Sequence, residues 1–282
     1  MRMDATTSSP RSRTTLVSFL GAVVRPMGFW MPIAGTVDLM TQFGLDAASV
    51  RTAVFRLKKR GWLVPETRGG ARGYALTEKA LAALAAGDEV IWHARTPASL
   101  DEGWCLVSFS IPESARGRRH QLRSHLSSLG FGNVSAALWI APARMQGHAR
   151  RVVEELSLTD HCAVFVGGYV GGPDLSALLH RSWDLDVIDD RYLDFIQRFR
   201  DRVDELGSGS AVEPRLAFKT YVEVVDQWRR LPFRDPGLPE ELLPPGWSGG
   251  EAGALFERLV AQLQDRALAH AARHWPSPAP AV

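Results

Sequence analysis

Phe43-Gly-Leu-Asp-Ala-Ala-Ser-Val-Arg-Thr-Ala-Val-Phe-Arg-Leu-Lys-Lys-Arg-Gly-Trp-Leu63 is followed, after a short gap, by Arg68-Gly-Gly-Ala-Arg-Gly-Tyr-Ala-Leu-Thr77. Val50, Val54 and Leu57 recur at i, i+4 and i+7, which puts them on one side of a helix. Ser49, Arg51, Thr52, Phe55, Arg56 and Lys59 take the rest of its circumference. Asp46 supplies an N-cap oxygen and Gly61 a stop. Lys58, Lys59 and Arg60 place positive charge at the carbonyl-rich end. The spacing predicts a helix from Asp46 to about Arg60. One side packs and the cationic side is free to meet a duplex, with Arg68 and Arg72 on a glycine-turned hairpin beside it.

Charge is distributed in the same sense. The chain carries only +2 overall, but residues 11 to 75 carry +7 and residues 173 to 282 carry −5. A polyanion is drawn to the first part and repelled from the last. An acidic small substrate or a membrane surface would call for no recognition helix.

Working outward, a helix is expected at about 12 to 25, with Leu16, Phe19, Leu20, Val23 and Val24 on one side. Arg25-Pro26 stands where a signal-peptide cleavage site would need small residues. Met27 to Pro32 reads as a joining segment, and a second helix is expected at about Thr36 to Phe43. Strands at Trp62-Leu63-Val64 and Tyr74-Ala75-Leu76 complete a winged helix-turn-helix, after which Thr77 caps a helix to about Ala94. From Trp104 the texture changes to strand (Trp104 to Ile111), helix (about Glu113 to Leu129), strand (Ser135 to Ile140), helix (about Ala143 to Leu156) and strand (Cys162 to Val166). The remainder is helical and acidic. Its helices are expected around Trp183 to Ile196, Leu216 to Leu231 and Ala252 to Ala272, with Gly207-Ser-Gly-Ser210 and a Pro-punctuated loop after Leu231 between them.

The expected class is therefore α+β: a disordered tail over 1–11, a winged helix-turn-helix over 12–95, an α/β sandwich over 96–172 and a helical domain over 173–282. The Pro-rich tail after Trp275 cannot continue a helix. No apolar run reaches the roughly 18 residues of a membrane span. Cys105 and Cys162 lie in apolar runs without a pairing pattern, as reduced core residues of a cytoplasmic protein would.

Three segments together resemble the phenylacetate-degradation repressor (PaaX) family of bacterial transcription regulators. They are Phe43-Gly-Leu45 with Val50-Arg-Thr-Ala-Val-Phe-Arg-Leu57 and Gly61-Trp-Leu63; Leu129-Gly-Phe-Gly132 with Leu138-Trp139; and Asp235-Pro236, Leu238-Pro239, Leu242-Leu-Pro244 and Trp247. The resemblance covers about 12 to 272. It implies a dimeric DNA-binding repressor acting on a double-stranded operator, an inverted repeat. Release by an aryl acyl-coenzyme A, usually phenylacetyl-coenzyme A, is implied as well, with no other cofactor. The middle domain of such proteins is similar to the ferredoxin-like fold of CRISPR-associated small nucleases, which makes a metal-dependent nuclease the alternative. Those enzymes carry a metal-binding Asp at the end of the first strand, whereas Val107-Ser-Phe-Ser-Ile-Pro112 offers hydroxyls that cannot hold a divalent ion unaided. The domain therefore reads as an interaction scaffold. A regulator answering another ligand is the remaining alternative.

Other chemistry finds little support. His120 and His125 lack a third ligand nearby, and His161-Cys162 sits against a strand. No Gly-x-Ser-x-Gly elbow occurs, so no catalytic residue and no metal ligand is assigned. Asp184, Asp186, Asp189 and Asp190 read as a charged helix edge. Coenzyme A needs cations for its phosphates and an apolar pocket for an aryl group. Trp228, Arg229, Arg230, Phe233 and Arg234 offer that mixture. Arg116, Arg118, Arg119 and Arg123 offer a second.

Overall fold

A computed structural model describes residues 10–88, 91, 97–172, 174–207, 213–231 and 235–276. The 1–9 part of the expected tail, the end of the helix drawn to Ala94, the Ser208 to Ser210 part of the glycine-serine separator, Phe233, Arg234 and the last six residues lie outside them.

The chain opens with α1 (Pro10–Phe19), which runs on as a π-helical turn over Leu20–Val24. Then come β1 (Trp30–Pro32), α2 (Ile33–Thr41), α3 (Ala47–Lys59), β2 (Leu63–Arg68), β3 (Ala71–Leu76) and α4 (Glu78–Asp88). These strands form an antiparallel sheet in the order β1-β3-β2. The segment read as a mere joint is thus partly a strand: Trp30 pairs with Ala75 and Pro32 with Gly73. It hid because all three of its residues are buried, which leaves no alternation to detect. Arg68 pairs with Ala71 across a two-residue turn in which Gly69 (φ 54°) and Gly70 (φ 76°) both take the left-handed region. Such a turn matches the strand twist, and glycine meets it without steric cost.

Next follow β4 (Trp104–Phe109), α5 (Arg116–Ser128), β5 (Gly132–Ser135), β6 (Leu138–Pro142), α6 (Gln146–Glu155) and β7 (Cys162–Gly167). The four strands make a second antiparallel sheet, ordered β5-β6-β4-β7. Where one strand was expected over Ser135 to Ile140, two strands meet in a hairpin, with Ser135 opposite Leu138. Cys105, Val107, Phe109, Trp139 and Ala141 turn one side of the sheet onto Leu122 and Leu126 of α5 and Ala149 and Val153 of α6. Among the described residues four helices follow: α7 (Leu175–Ser182), α8 (Leu185–Gly207), α9 (Pro214–Trp228) and α10 (Gly249–Ala272). The sequence reading had not picked out α7.

The molecule divides into two compact units. One draws on Met1–Asp88, Arg198–Trp228 and Ala254–Val282, the other on Glu89–Gln197 and Arg229–Gly253. In the first unit, Phe19 meets the rings of Phe218 and Trp275, with centroids 6.4 and 6.5 Å apart. The Ser18 hydroxyl donates to Asp226 (2.6 Å), and the Trp275 indole N–H donates to the Trp30 carbonyl (3.1 Å). In the second unit, the loop opened by Asp235 is a clasp. Its carboxylate accepts from the Tyr192 hydroxyl and the Gly237 N–H, both at 2.7 Å. The Gly237 carbonyl in turn accepts from the Ala98 N–H (3.0 Å) and the Arg144 guanidinium (3.1 Å).

Candidate nucleic-acid interface

Helix α3 is held at both ends. The Asp46 carboxylate caps its start by accepting the Ser49 N–H at 2.8 Å. The Ser49 hydroxyl and N–H hold that carboxyl below its ordinary pKa. At the far end Gly61 (φ 74°) turns the chain and the Trp62 N–H returns to the Leu57 carbonyl (3.0 Å), so helix-terminal acceptors are satisfied. Thr77 then ties the turn to the hairpin: its hydroxyl donates to the Gly61 carbonyl (2.7 Å) and its N–H to the Trp62 carbonyl (3.1 Å). The Thr77 hydroxyl also caps α4, accepting the Ala80 N–H.

Val50, Ala53, Val54 and Leu57 are buried, and the helix packs on α1, α2 and β2. Burying a Val or Leu contributes about 1.5–3 kcal/mol each, enough to seat one side of a short helix firmly. The opposite side is open. Arg51, Phe55 and Lys59 lie one turn apart along it, all exposed, with Phe55 at 62%. Phe55 therefore does not pack into the core. Thr52 and Arg56 flank this row, half-buried. Arg51, Lys58, Lys59, Arg60 and Arg72 are exposed cations with no ion-pair partner among the described residues.

Two expected positions stand differently. Ser49 is 8% exposed and belongs to the cap, because its backbone N–H and hydroxyl both serve Asp46. Arg68 is committed within the hairpin. Its guanidinium bonds Glu66 and the Gly28 carbonyl (3.1 Å) and lies 5.6 Å from the centre of the Trp30 ring. The hairpin is correspondingly anchored rather than loose, because β3 is the middle strand of its sheet. Arg72 remains open.

Of the expected effector residues, Trp228, Arg229 and Arg230 are among the described residues. Trp228 is fully buried and stacks on Phe256 (centroids 4.7 Å apart, planes 13° apart), so it serves the core of its unit and lines no open pocket. Arg229 is half-buried and Arg230 exposed; Phe233 and Arg234 lie outside the described residues. On α5, Arg119 pairs with Glu113 at 2.7 Å and Arg116 with the same carboxylate at 3.8 Å, while Arg118 reaches the Ser157 carbonyl. Burial raises the thiols of Cys105 and Cys162 to about 11, which keeps both protonated and unreactive at neutral pH. Among the described residues no group of three or more His, Cys, Asp or Glu is placed to hold a metal ion, and no helix is long and apolar enough to cross a membrane.

Three family models match in succession: "PaaX-like protein" over residues 11–80, "PaaX protein central Cas2-like domain" over 97–179, and "PaaX-like protein C-terminal domain" over 183–273. The chain is 28% identical over 270 residues to the transcriptional repressor PaaX of Escherichia coli (strain K12), covering 94% of this chain and 84% of that protein. It also resembles the solved structure of an uncharacterized protein from Mycobacterium tuberculosis, with a TM-score of 0.60, 21% identity, and coverage of 92% of this chain and 98% of that one. That likeness concerns the fold alone.

Proposed function

This chain belongs to the PaaX family of transcription regulators, and from that premise we propose that it represses an operon for aromatic-acid catabolism of the phenylacetate type. In this reading residues 12–95 form a winged helix-turn-helix, α3 enters the major groove and Arg72 on the β2–β3 hairpin meets the backbone or the minor groove. The observation that carries it is the open row of Arg51, Phe55 and Lys59 on a helix whose other side is buried and whose ends are both tied. Arginine reads guanine O6 and N7, an aromatic ring can meet a thymine methyl, and lysine meets phosphate. The order β5-β6-β4-β7, with α5 and α6 on one side, supports reading the middle as a ferredoxin-like scaffold.

Two copies then present paired helices to successive major grooves of an inverted repeat. An aryl acyl-coenzyme A such as phenylacetyl-coenzyme A releases the operator by binding the DNA-incompetent arrangement more tightly, since equal affinity for both arrangements would shift nothing. Sequencing duplexes selected by the purified protein should return a two-fold-symmetric site. Phenylacetyl-coenzyme A should then weaken binding to that site. Failure to enrich any sequence would overturn the DNA reading, and an effector that binds yet leaves operator affinity unchanged would overturn release.

A further inference from the structure

Helix α5 carries charge of one sign only. Its thirteen residues, Arg116–Ser128, include four arginines and two histidines and no carboxylate. Leu122 and Leu126 seat it in the core under the second sheet, and all its other residues except Arg119 are exposed. Arg116, His120, Arg123 and Ser127 recur at i, i+4, i+7 and i+11, so they form one row along the open surface.

Little within the fold answers this charge. Glu113, just before the helix, is approached by both Arg119 (2.7 Å) and Arg116 (3.8 Å), so one negative charge meets two positive ones. The Arg116 and Glu113 side chains are 79% and 70% exposed, and water screens such a pair until it holds little. Arg123 has no ion-pair partner among the described residues. Arg118, on another side of the helix, donates to the Ser157 carbonyl (3.4 Å), which is neutral. The shape of the row indicates what kind of anion suits it. From Arg116 to Arg123 it runs about 10 Å at 1.5 Å per residue. A DNA strand offers one phosphate per about 3.4 Å of axis, so the row reaches about three of them. Ser124 and Ser127, exposed beside it, add hydroxyls of the kind that hydrogen-bond phosphate oxygens. A coenzyme A diphosphate needs cations that converge on a pocket, whereas the groove beside the end of α5 is lined by Ser124, Ser127 and Ser128 and by none of the four arginines.

We propose that the open side of α5 is a second, sequence-independent contact with the phosphate backbone of duplex DNA, made by Arg116, Arg123 and Ser127. The inference rests on the DNA-binding reading above and deepens it: the second contact adds affinity and salt dependence without adding base preference. Anisotropy titrations of the full chain across a salt series test it, on a duplex extending well beyond the selected operator and on one of random sequence.

Arg116→Gln combined with Arg123→Gln should lower the slope of log K against log salt by about 1.8 on both duplexes, about 0.9 for each lost phosphate contact. Arg116→Lys combined with Arg123→Lys should keep most of the slope, because lysine meets phosphate as a point charge. Both variants should melt as the wild type does, since the two side chains are exposed. If the glutamine variant keeps the wild-type slope and affinity, the second contact does not exist, while the reading of α3 stands. If it loses affinity for the operator alone, the row reads bases and the inference falls. If coenzyme A alone binds the wild type in calorimetry but not the glutamine variant, the row is a site for that small anion and the inference falls. If the wild type retains neither duplex, the DNA-binding reading itself falls and takes this contact with it.

Discussion

Arg51 and Lys59 share one open side of α3, yet their loss should be felt differently. On the proposed DNA reading, Arg51→Ala should weaken the selected operator by about 1–3 kcal/mol while relaxing the preference at one base pair. Lys59→Ala should weaken all duplexes alike and flatten the dependence of log K on log salt by about 0.9. Anisotropy titrations across a salt series check both. Equal losses on specific and random DNA for Arg51→Ala would exclude base reading by that residue. Asp46 acts on the helix rather than on DNA. Its carboxyl titrates below the ordinary value because Ser49 holds the charged form. The stabilisation is therefore complete above the usual carboxylate pKa and vanishes as pH falls through the lower folded value. Asp46→Ala should lower the melting temperature at pH 7, and the gap to the wild type should close in strong acid. A gap independent of pH would show that the charge contributes nothing.

At the scale of the element, the hairpin depends on a strand of three residues. Gly73 in β3 faces β1 so closely that a Cβ there would lie 2.3 Å from the Met31 carbonyl oxygen and 2.5 Å from the Trp30 ring. Gly73→Ala must push β1 away, at a cost of about 1–3 kcal/mol by the measure of overpacked sites. Thermal unfolding should register that loss, and Arg68, which rests on Trp30, should lose its seat. An unchanged melting temperature would mean that β1 is dispensable to the sheet. This strand was not legible in the sequence because Trp30, Met31 and Pro32 show neither alternation nor a helical period. Helix α3 was legible because its apolar stripe, cap and stop all agree. The cap also drew in Ser49, which local spacing counts with the open side but whose hydrogen bonds turn it inward.

For the whole molecule, the N-terminal elements are not self-sufficient. Phe19 is fully buried with Phe218 of α9 and Trp275 against it, and Gly35 sits against the His274 backbone, with room for no Cβ. A fragment of residues 1–95 would expose Phe19, Phe43 and Trp30. It is expected to show no cooperative melt by circular dichroism, whereas the full chain unfolds cooperatively. A sharp transition in the fragment would refute the dependence. The same reasoning bears on Trp228, whose composition-based assignment to an aryl pocket met a core position: aromatic residues beside arginines look alike in sequence whether the ring is buried or open.

The sequence by itself determined what depends on neighbours along the chain: the period of α3, its cap and stop, the two-glycine turn, the strand and helix alternation of the middle segment, and the cationic start against the acidic end. Tertiary structure alone decided that α9 and most of α10 complete the unit of the N-terminal sheet, and that Arg68 is spent on Trp30 and Glu66. Local hydrogen bonding and periodicity act over a few residues and leave a mark in the text. Burial of one aromatic ring by another some two hundred positions away leaves none, because any large apolar residue would read the same.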